Sequence, residues 1–501
     1  MISRPGSSVR PGAEEPFNQE PEGHTSSYEP AGRAGSSTSV KQGSIAMATP
    51  KLHIYGINDI DTLLQRLPND VRFGAKVAAL VLPFRVSNYV TDELIDWDRV
   101  PDDPIYQLTF AHAGMLRPND FHRLAGIVRS GVSREVLDQE VDAIRRSLNP
   151  HSDGQTVNVP VLDGDRVPGV QHKYAETCLV FPASGQTCHA YCTYCFRWPQ
   201  FVGMPGLRFA TDEAQRFKTY IRSHQELTDV IVTGGDPMIM NARKLSCYVE
   251  PLLDGGFEHI QNIRIGTKAL AYWPYRFLSD PDADDVLRLF EKVVKAGKHL
   301  ALMAHFSHWR ELTTPAVCRA IARIRATGAQ IRTQAPVVGH VNDSSDVWAR
   351  MWTEQVRLGC IPYYMFIARE TGAHHYFAVP LARAFQIFSD AYRHLSGLCR
   401  TVRGPTMSTF AGKVVVDGIM DGFAGEQAFA LRFIQARDPS WTLRPFLARF
   451  DPGATWFSQL RPLDGQQEFF FERSFVGHGR SIGVRAPITV QARPGGLDVL
   501  S

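Results

Sequence analysis

The chain has 501 residues, of which 44% are hydrophobic and 21% charged, with a formal net charge of +3. This is an ordinary globular composition with ample material for a large core, and the near balance of charge, without a Lys/Arg block, argues against nucleic acid as a partner. No apolar run reaches the ~18 to 20 residues of a membrane-spanning helix, so no membrane partner is expected.

Residues 1–46 are rich in Ser, Gly, Pro and Glu and nearly free of aliphatic side chains. Such a segment cannot bury enough apolar surface to offset its ordering entropy, so a disordered tail is expected. It lacks the apolar core of a secretory signal, and Glu14, Glu15, Glu20 and Glu22 argue against a mitochondrial presequence, which makes the cytoplasm the expected location. Met47 is a second candidate start beside Met1.

Residues 47–165 read as a helical N-terminal region. "DTLLQRLPNDV", "TDELIDWDRV" and "SREVLDQEVDAIRRSLN" place apolar residues three and four apart. "KVAALVLPF" at 76–84 reads as a buried strand or helix segment, and a polar connector covers 150–172.

In 166–417 an alternation sets in. The β-rich runs are "ETCLVFPA" (176–183), "LTDVIVTGG" (227–235), "IQNIRIGTKAL" (260–270), "KHLALMAHF" (298–306), "AQIRTQAPVV" (329–338) and "CIPYYMFIA" (360–368). Between them lie the helical patterns "DEAQRFKTYIRSHQE", "DADDVLRLFEKVVKAG", "TPAVCRAIARIRATG" and "SDVWARMWTEQVRLG", several ending on the Gly expected at a helix C-terminus. Strand–helix repetition implies a parallel sheet with right-handed crossovers. The expected fold is α/β, a partial or full (β/α) TIM-type barrel of about six parallel strands, with a less periodic C-terminal extension at 418–501. Chemistry in such barrels sits at the carboxyl ends of the strands, where "GQTCHAYCTYC", "TGGDP", "GTK", "HFSH" and "ARETGAHH" fall.

Eight cysteines are present. Cys178, Cys247, Cys318, Cys360 and Cys399 are scattered in apolar or helical contexts and read as small buried hydrophobes, and without a secretory signal no disulfide framework is expected. Cys188, Cys192 and Cys195 are different, because they sit four and three residues apart. A structural zinc ion wants four ligands, usually in two pairs; there is no second pair, and His189 could join only with strained geometry beside Cys188. A redox pair of Cys192 and Cys195 leaves Cys188 without a role. A cuboidal iron–sulfur cluster ordinarily takes four thiolates, so three leave one iron open, which is useful if a substrate or cofactor binds there.

Cys188-His-Ala-Tyr-Cys192-Thr-Tyr-Cys195 resembles the radical S-adenosylmethionine signature C-x3-C-x2-C, with an aromatic residue before the last Cys. The resemblance implies a 4Fe-4S cluster on the three cysteines, with S-adenosylmethionine chelating the open iron by its amino and carboxylate groups. Reductive cleavage of its sulfonium would give a 5′-deoxyadenosyl radical, which the protein positions and shields. An electron donor such as flavodoxin or ferredoxin is implied as a partner. "TGGDP" at Thr233–Pro237, with Gly234, Gly235 and Asp236, matches the strand end where the family binds the S-adenosylmethionine amino group.

Residues 165–415 resemble one branch, the lysine 2,3-aminomutase family, through "VPGVQHKY", "YCFR", "TGGDP", "IRIGTK", "HFSH", "PYY" and "SGLC", with Lys413 fourteen residues after Cys399. That likeness implies an isomerase with a second cofactor, pyridoxal 5′-phosphate, held by a lysine as a Schiff base, because an amino nitrogen can migrate from the α- to the β-carbon as an imine but not as a free ammonium. By the resemblance, Lys413 is the pyridoxal lysine, although only Ala411 and Gly412 stand where the family typically has a run of glycines. Arg197 matches the substrate-carboxylate arginine, a role that suits a guanidinium fork. Lys173 matches a phosphate-contacting position, a further family arginine is replaced by Thr177, Gln334 matches a glutamine near the cofactors, and His305 is expected near S-adenosylmethionine. Lysine-specific members hold the distal ammonium with two aspartates; ungapped alignment places Arg369 and Thr406 there. An ammonium facing Arg369 would be repelled at a cost of several kcal/mol, so an acidic amino acid, glutamate first, is the expected substrate. Two alternatives remain open: a pyridoxal-independent radical enzyme, and a non-catalytic metal-binding protein. The resemblance also implies homo-oligomers, with residues 418–501 as the candidate contact surface.

Overall fold

The Val/Ile-rich runs form strands of one sheet in the computed structural model, which describes residues 50–150, 158–421, 425–463 and 465–472. The expected disordered tail at 1–46, part of the 150–172 connector and residues 473–501 of the C-terminal extension lie outside the described residues. Every described residue belongs to one compact unit, Thr49–Ser501.

Among the described residues the sheet has eleven strands in sequential order. They are β1 Val170–Tyr174, β2 Thr177–Val180, β3 Asp229–Val232, β4 Asn262–Thr267, β5 His299–His305, β6 Gln330–Val337, β7 Ile361–Ile367, β8 Arg403–Ser408, β9 Gly412–Asp421, β10 Gln427–Ala436 and β11 Pro445–Arg449. Neighbours from β2 to β8 pair in parallel, whereas β1 and β9 to β11 run antiparallel to their neighbours. The six expected parallel strands are present, and β8 is a seventh. Its Gly404–Pro405 step reads in sequence as a turn, since proline cannot donate to a ladder. Strand β9 runs across residue 418, and β9 to β11 continue the sheet into the C-terminal extension.

Crossover helices α1 Ala214–Ser223, α2 Ala283–Lys295, α3 Pro315–Ala326 and α4 Ser345–Arg357 bury one apolar stripe each, such as Val286, Phe290 and Val293 of α2. Gly297, Gly328 and Gly359 follow α2 to α4 at φ of 78°, 86° and 79°, the left-handed conformation that satisfies a helix C-terminus.

A parallel sheet covered on both faces carries continuous apolar strands. Here burial alternates: Ile263, Ile265 and Thr267 of β4 are buried, whereas Asn262, Arg264 and Gly266 are partly exposed. One face packs on the helices, and the other, inner face carries more of the polar side chains and is largely covered. Pairing places Asp229 beside Thr177, His305 beside Gln334, Gln334 beside Tyr364, and Ser408 beside Lys413, all on that inner face. Side chains from distant strands meet there, with Lys413 Nζ of β9 5.7 Å from the ring centre of Tyr174 in β1.

In the N-terminal region "KVAALVLPF" is the end of helix Asn69–Val81, which stops at Leu82 before Pro83. "TDELIDWDRV", expected as one helix, is broken into a short π-helix at Val90–Leu94 and a 3-10 turn at Trp97–Arg99. The side chain of Asp103 accepts from the Asp96 N–H, and the Trp97 indole donates to Thr91 O at 2.9 Å, so both fix the break. No helix among the described residues is long and apolar enough to cross a membrane.

Candidate active site

The cysteine loop leaves the carboxyl end of β2 and lies on the carboxyl end of β3. A Cβ on Gly234 would come within 2.6 Å of Gln186 Nε2, and one on Gly235 within 2.6 Å of Thr187 O. These two glycines, expected at S-adenosylmethionine, therefore first permit the loop backbone to sit against the strand. Asp236 locks the same junction. Its N–H donates to Gly185 O (3.0 Å) and Thr187 O (2.8 Å), and its carboxylate accepts from Thr267 Oγ1 (2.7 Å) and from the N–H groups of Met238 (2.9 Å) and Lys268 (2.8 Å). Burial raises the Asp236 pKa to about 6 against those bonds.

Cys188, Cys192 and Cys195 are free and half-buried. Burial raises all three thiol pKa values, Cys195 to about 12, so metal binding must displace their protons. Among the described residues, the His, Cys, Asp and Glu ligand atoms that gather in threes within 4.8 Å are those of His172, His224 and Glu226 alone. At least one pair of the three sulfurs is thus more than 4.8 Å apart, wider than the ~3.8 Å that Zn–S bonds of ~2.3 Å impose around a tetrahedral ion. Three thiolates without a fourth, on one loop, are a donor set that suits a cluster with one iron per thiolate. Tyr272 Oη lies 3.0 Å from Cys192 Sγ. Beneath the loop, Lys268 Nζ donates to Glu311 Oε1 at 2.7 Å; both side chains are buried. Glu311 also accepts from the N–H groups of Ser307 and His308. His305 ends β5, and burial with the nearby Lys268 holds its imidazole neutral, lowering its pKa to about 3.

Arg197 leaves the last cysteine buried, with Nη2 donating to Gln186 Oε1 (3.2 Å) and Gln200 Oε1 (3.0 Å), while Nε has no partner. Its guanidinium lies 4.6 Å from the Phe181 ring centre, and burial lowers its pKa to about 10. Arg369, just past β7, stacks on Phe196 at 4.4 Å, and burial lowers its pKa too. Thr406 in β8 is fully buried, with Oγ1 unpartnered.

Lys413 Nζ donates to Gln435 Oε1 at 3.1 Å, and Gln435 Nε2 donates to Glu176 Oε1 at 2.6 Å. The rings of Tyr364 and Tyr174 flank the amine at 4.7 and 5.7 Å. Burial first, then the cation of Lys173, lowers the Lys413 pKa to about 7. Lys173 is lowered to about 7 as well, by burial and by Arg369 and Arg437.

The structure therefore gathers the predicted residues in two adjoining groups. Cys188, Cys192, Cys195, Gly234, Gly235, Asp236 and His305 surround the loop; Lys173, Arg369, Thr406 and Lys413 line the inner face with Gln334, and Arg197 stands between the groups. Sequence reading missed Tyr272, the Lys268–Glu311 pair, Tyr174, Gln435 and Arg437. Tyr174 and Lys268 stand inside quoted motifs, but the contacts of the other residues come only from folding.

A loop of three cysteines on a strand end, beside buried basic side chains, is the arrangement expected of a radical S-adenosylmethionine type of protein. No family model matches the chain. It is 33% identical over 299 residues to a putative L-lysine 2,3-aminomutase of Aquifex aeolicus, covering 60% of this chain and 76% of that protein. It is 26% identical over 259 residues to the L-lysine 2,3-aminomutase of Acetoanaerobium sticklandii, spanning 59% of that relative's length. A solved radical SAM methyltransferase from Sphaerobacter thermophilus aligns at a TM-score of 0.34 and 16% identity, over 57% of this chain and 92% of that one. The chain belongs to the lysine 2,3-aminomutase family. Membership supports an enzyme of the isomerase class and implies a 4Fe-4S cluster and S-adenosylmethionine.

Proposed function

We propose that the chain is an amino-acid 2,3-aminomutase using S-adenosylmethionine and pyridoxal phosphate, with an acidic amino acid, glutamate first, as substrate. One observation carries this reading: the basic side chains of Lys173, Arg197, Arg369 and Lys413 gather where burial lowers the pKa of each, and none makes an ion pair with a carboxylate among the described residues. Buried charge without a partner is costly, so the site is built for several anionic groups.

Arg197 would take the substrate carboxylate, using the Nε it leaves unpartnered. Arg369 would take a distal carboxylate through its guanidinium fork, with Thr406 Oγ1 as a further donor. Lys413, with its pKa lowered to about 7, makes the uncharged amine accessible near neutral pH, as an attachment point for a carbonyl cofactor requires. Lys173 and Arg437 would hold the cofactor phosphate, Arg437 supplying the cation missing at Thr177. Tyr364 and Tyr174 would exclude water around Lys413. Bound, the pyridoxal ring supplies an electron sink and S-adenosylmethionine on the cluster supplies a hydrogen-abstracting radical. In this reading the curled sheet acts as a partial (β/α) barrel, an external flavodoxin- or ferredoxin-type donor reduces the cluster in the cytoplasm, and copies of the chain associate.

Anaerobic reconstitution followed by product analysis with lysine, glutamate, aspartate and arginine tests it. A β-amino product forming fastest from glutamate is expected; faster turnover of lysine overturns the substrate assignment. Turnover without any pyridoxal absorbance would favour a pyridoxal-independent radical enzyme.

A further inference from the structure

A second set of ligand-type side chains lies away from the cysteine loop. His172 is in β1, His224 caps α1, and Glu226 lies in the short link to β3. This is the amino-terminal side of the sheet, opposite the strand ends that carry the cysteines. One ligand atom from each of the three lies within 4.8 Å of the others. Two imidazoles and a carboxylate form a ligand set for a single divalent transition-metal ion.

The surroundings of the two imidazoles orient them. His224 Nδ1 is 2.8 Å from Tyr220 O, a carbonyl that can only accept, so Nδ1 carries the proton and Nε2 keeps its lone pair. This is the support that metal-bound histidines ordinarily have. The hydroxyl of the same Tyr220 lies 2.6 Å from His172 Nδ1, and its ring stacks on His224 at 3.9 Å. Burial raises the Tyr220 pKa, so the hydroxyl stays protonated and can serve either tautomer of His172. His172 Nε2 is 3.1 Å from Ala175 O; exchanging that carbonyl for a metal ion requires only that the proton move to Nδ1 and face Tyr220 Oη. Glu226 is exposed and His224 half-exposed, which leaves a path for the ion and room for water as a remaining ligand.

We infer that His172, His224 and Glu226 bind one zinc-class divalent ion that pins β1 to the link between α1 and β3. Lys173 is the next residue after His172, so the ion would fix the strand that presents this lysine to the inner face. The site is independent of the cysteine cluster and of the substrate.

The test uses the cluster-loaded chain, passed over chelating resin and equilibrated with Zn²⁺. The expected result is one zinc per chain, with a zinc-edge X-ray absorption spectrum showing only N/O neighbours at ~2.0–2.1 Å. His224→Ala and Glu226→Gln should each weaken zinc binding at least ~10-fold with the iron content unchanged, which shows that the fold and cluster persist. Zinc with sulfur neighbours at ~2.3 Å, zinc binding in either variant as tight as in the parent, or no zinc retained by the parent chain would each overturn the inference.

Discussion

The guanidinium of Arg369 rests 4.4 Å from the ring centre of Phe196, which stands between Cys195 and Arg197 in the chain. The side chain that would choose the substrate is therefore in contact with the segment that ends the cysteine loop. In the proposed function this puts substrate recognition and the radical source side by side. Arg369→Ala should lower kcat/KM for glutamate by ~10- to 100-fold, the loss of a charge-assisted hydrogen bond of ~1.5–3 kcal/mol, with Arg369→Lys recovering part of it. Steady-state kinetics on both variants checks this, and unchanged kcat/KM in Arg369→Ala would remove the residue from substrate binding.

Lys413 and Lys173 have pKa values lowered to about 7 from an ordinary value of 10.5. Below about 7 both are charged in the folded and unfolded chain, and the folded state bears the cost of burying them. Between there and 10.5 the unfolded chain binds more protons, so stability rises with pH. The ligand-free protein should gain thermal stability from pH 7 to 8.5, and Lys413→Met or Lys173→Met should flatten that rise. Equal slopes in parent and variants would contradict the lowered values.

The same lowered pKa predicts how pyridoxal attaches. Covalent incorporation, trapped by borohydride and located by mass spectrometry, should fall on Lys413 and reach its plateau near pH 8 instead of above pH 10. Incorporation that persists in Lys413→Ala would move the attachment elsewhere.

Tyr272 Oη is 3.0 Å from Cys192 Sγ. Hydrogen bonds to ligand sulfurs stabilise the reduced, more negative cluster and raise its potential. Tyr272→Phe should shift the cluster midpoint potential negative in an EPR-monitored redox titration, with iron content unchanged. A positive shift, or none, would show that the hydroxyl does not donate to the sulfur.

Lys268 and Glu311 form a buried pair at 2.7 Å. Removing one partner leaves an uncompensated charge, at a cost of about 3–5 kcal/mol. Lys268→Met should lose that much in chemical denaturation, and adding Glu311→Gln should recover part of it.

The parallel strands were legible because Val, Ile and Leu mark them, and the metal loop because its spacing is narrow. Arg403–Ser408 was not, since Gly404–Pro405 looks like a break although the strand lies beside Ile361–Ile367. The placement of Arg369 and Thr406 by ungapped alignment put them near the inner face, but nothing in the sequence indicated Phe196 beneath Arg369. Arg437 and Gln435 reach the site from 22 to 24 residues past Lys413 because β10 folds back along β9, and such partners are fixed by strand pairing, not local pattern. "TDELIDWDRV" misled because its helical period is overridden by the bonds of Trp97 and Asp103.

Gln435 holds Lys413 by an amide oxygen and is itself held by Glu176. The carboxylate is thus kept one residue away from the amine. A direct ion pair would stabilise the ammonium and silence it as a nucleophile, whereas an amide can let go of an uncharged amine at little cost. Exchanging that single atom set, as in Gln435→Glu, would turn a waiting reactive group into an inert salt link without touching the lysine.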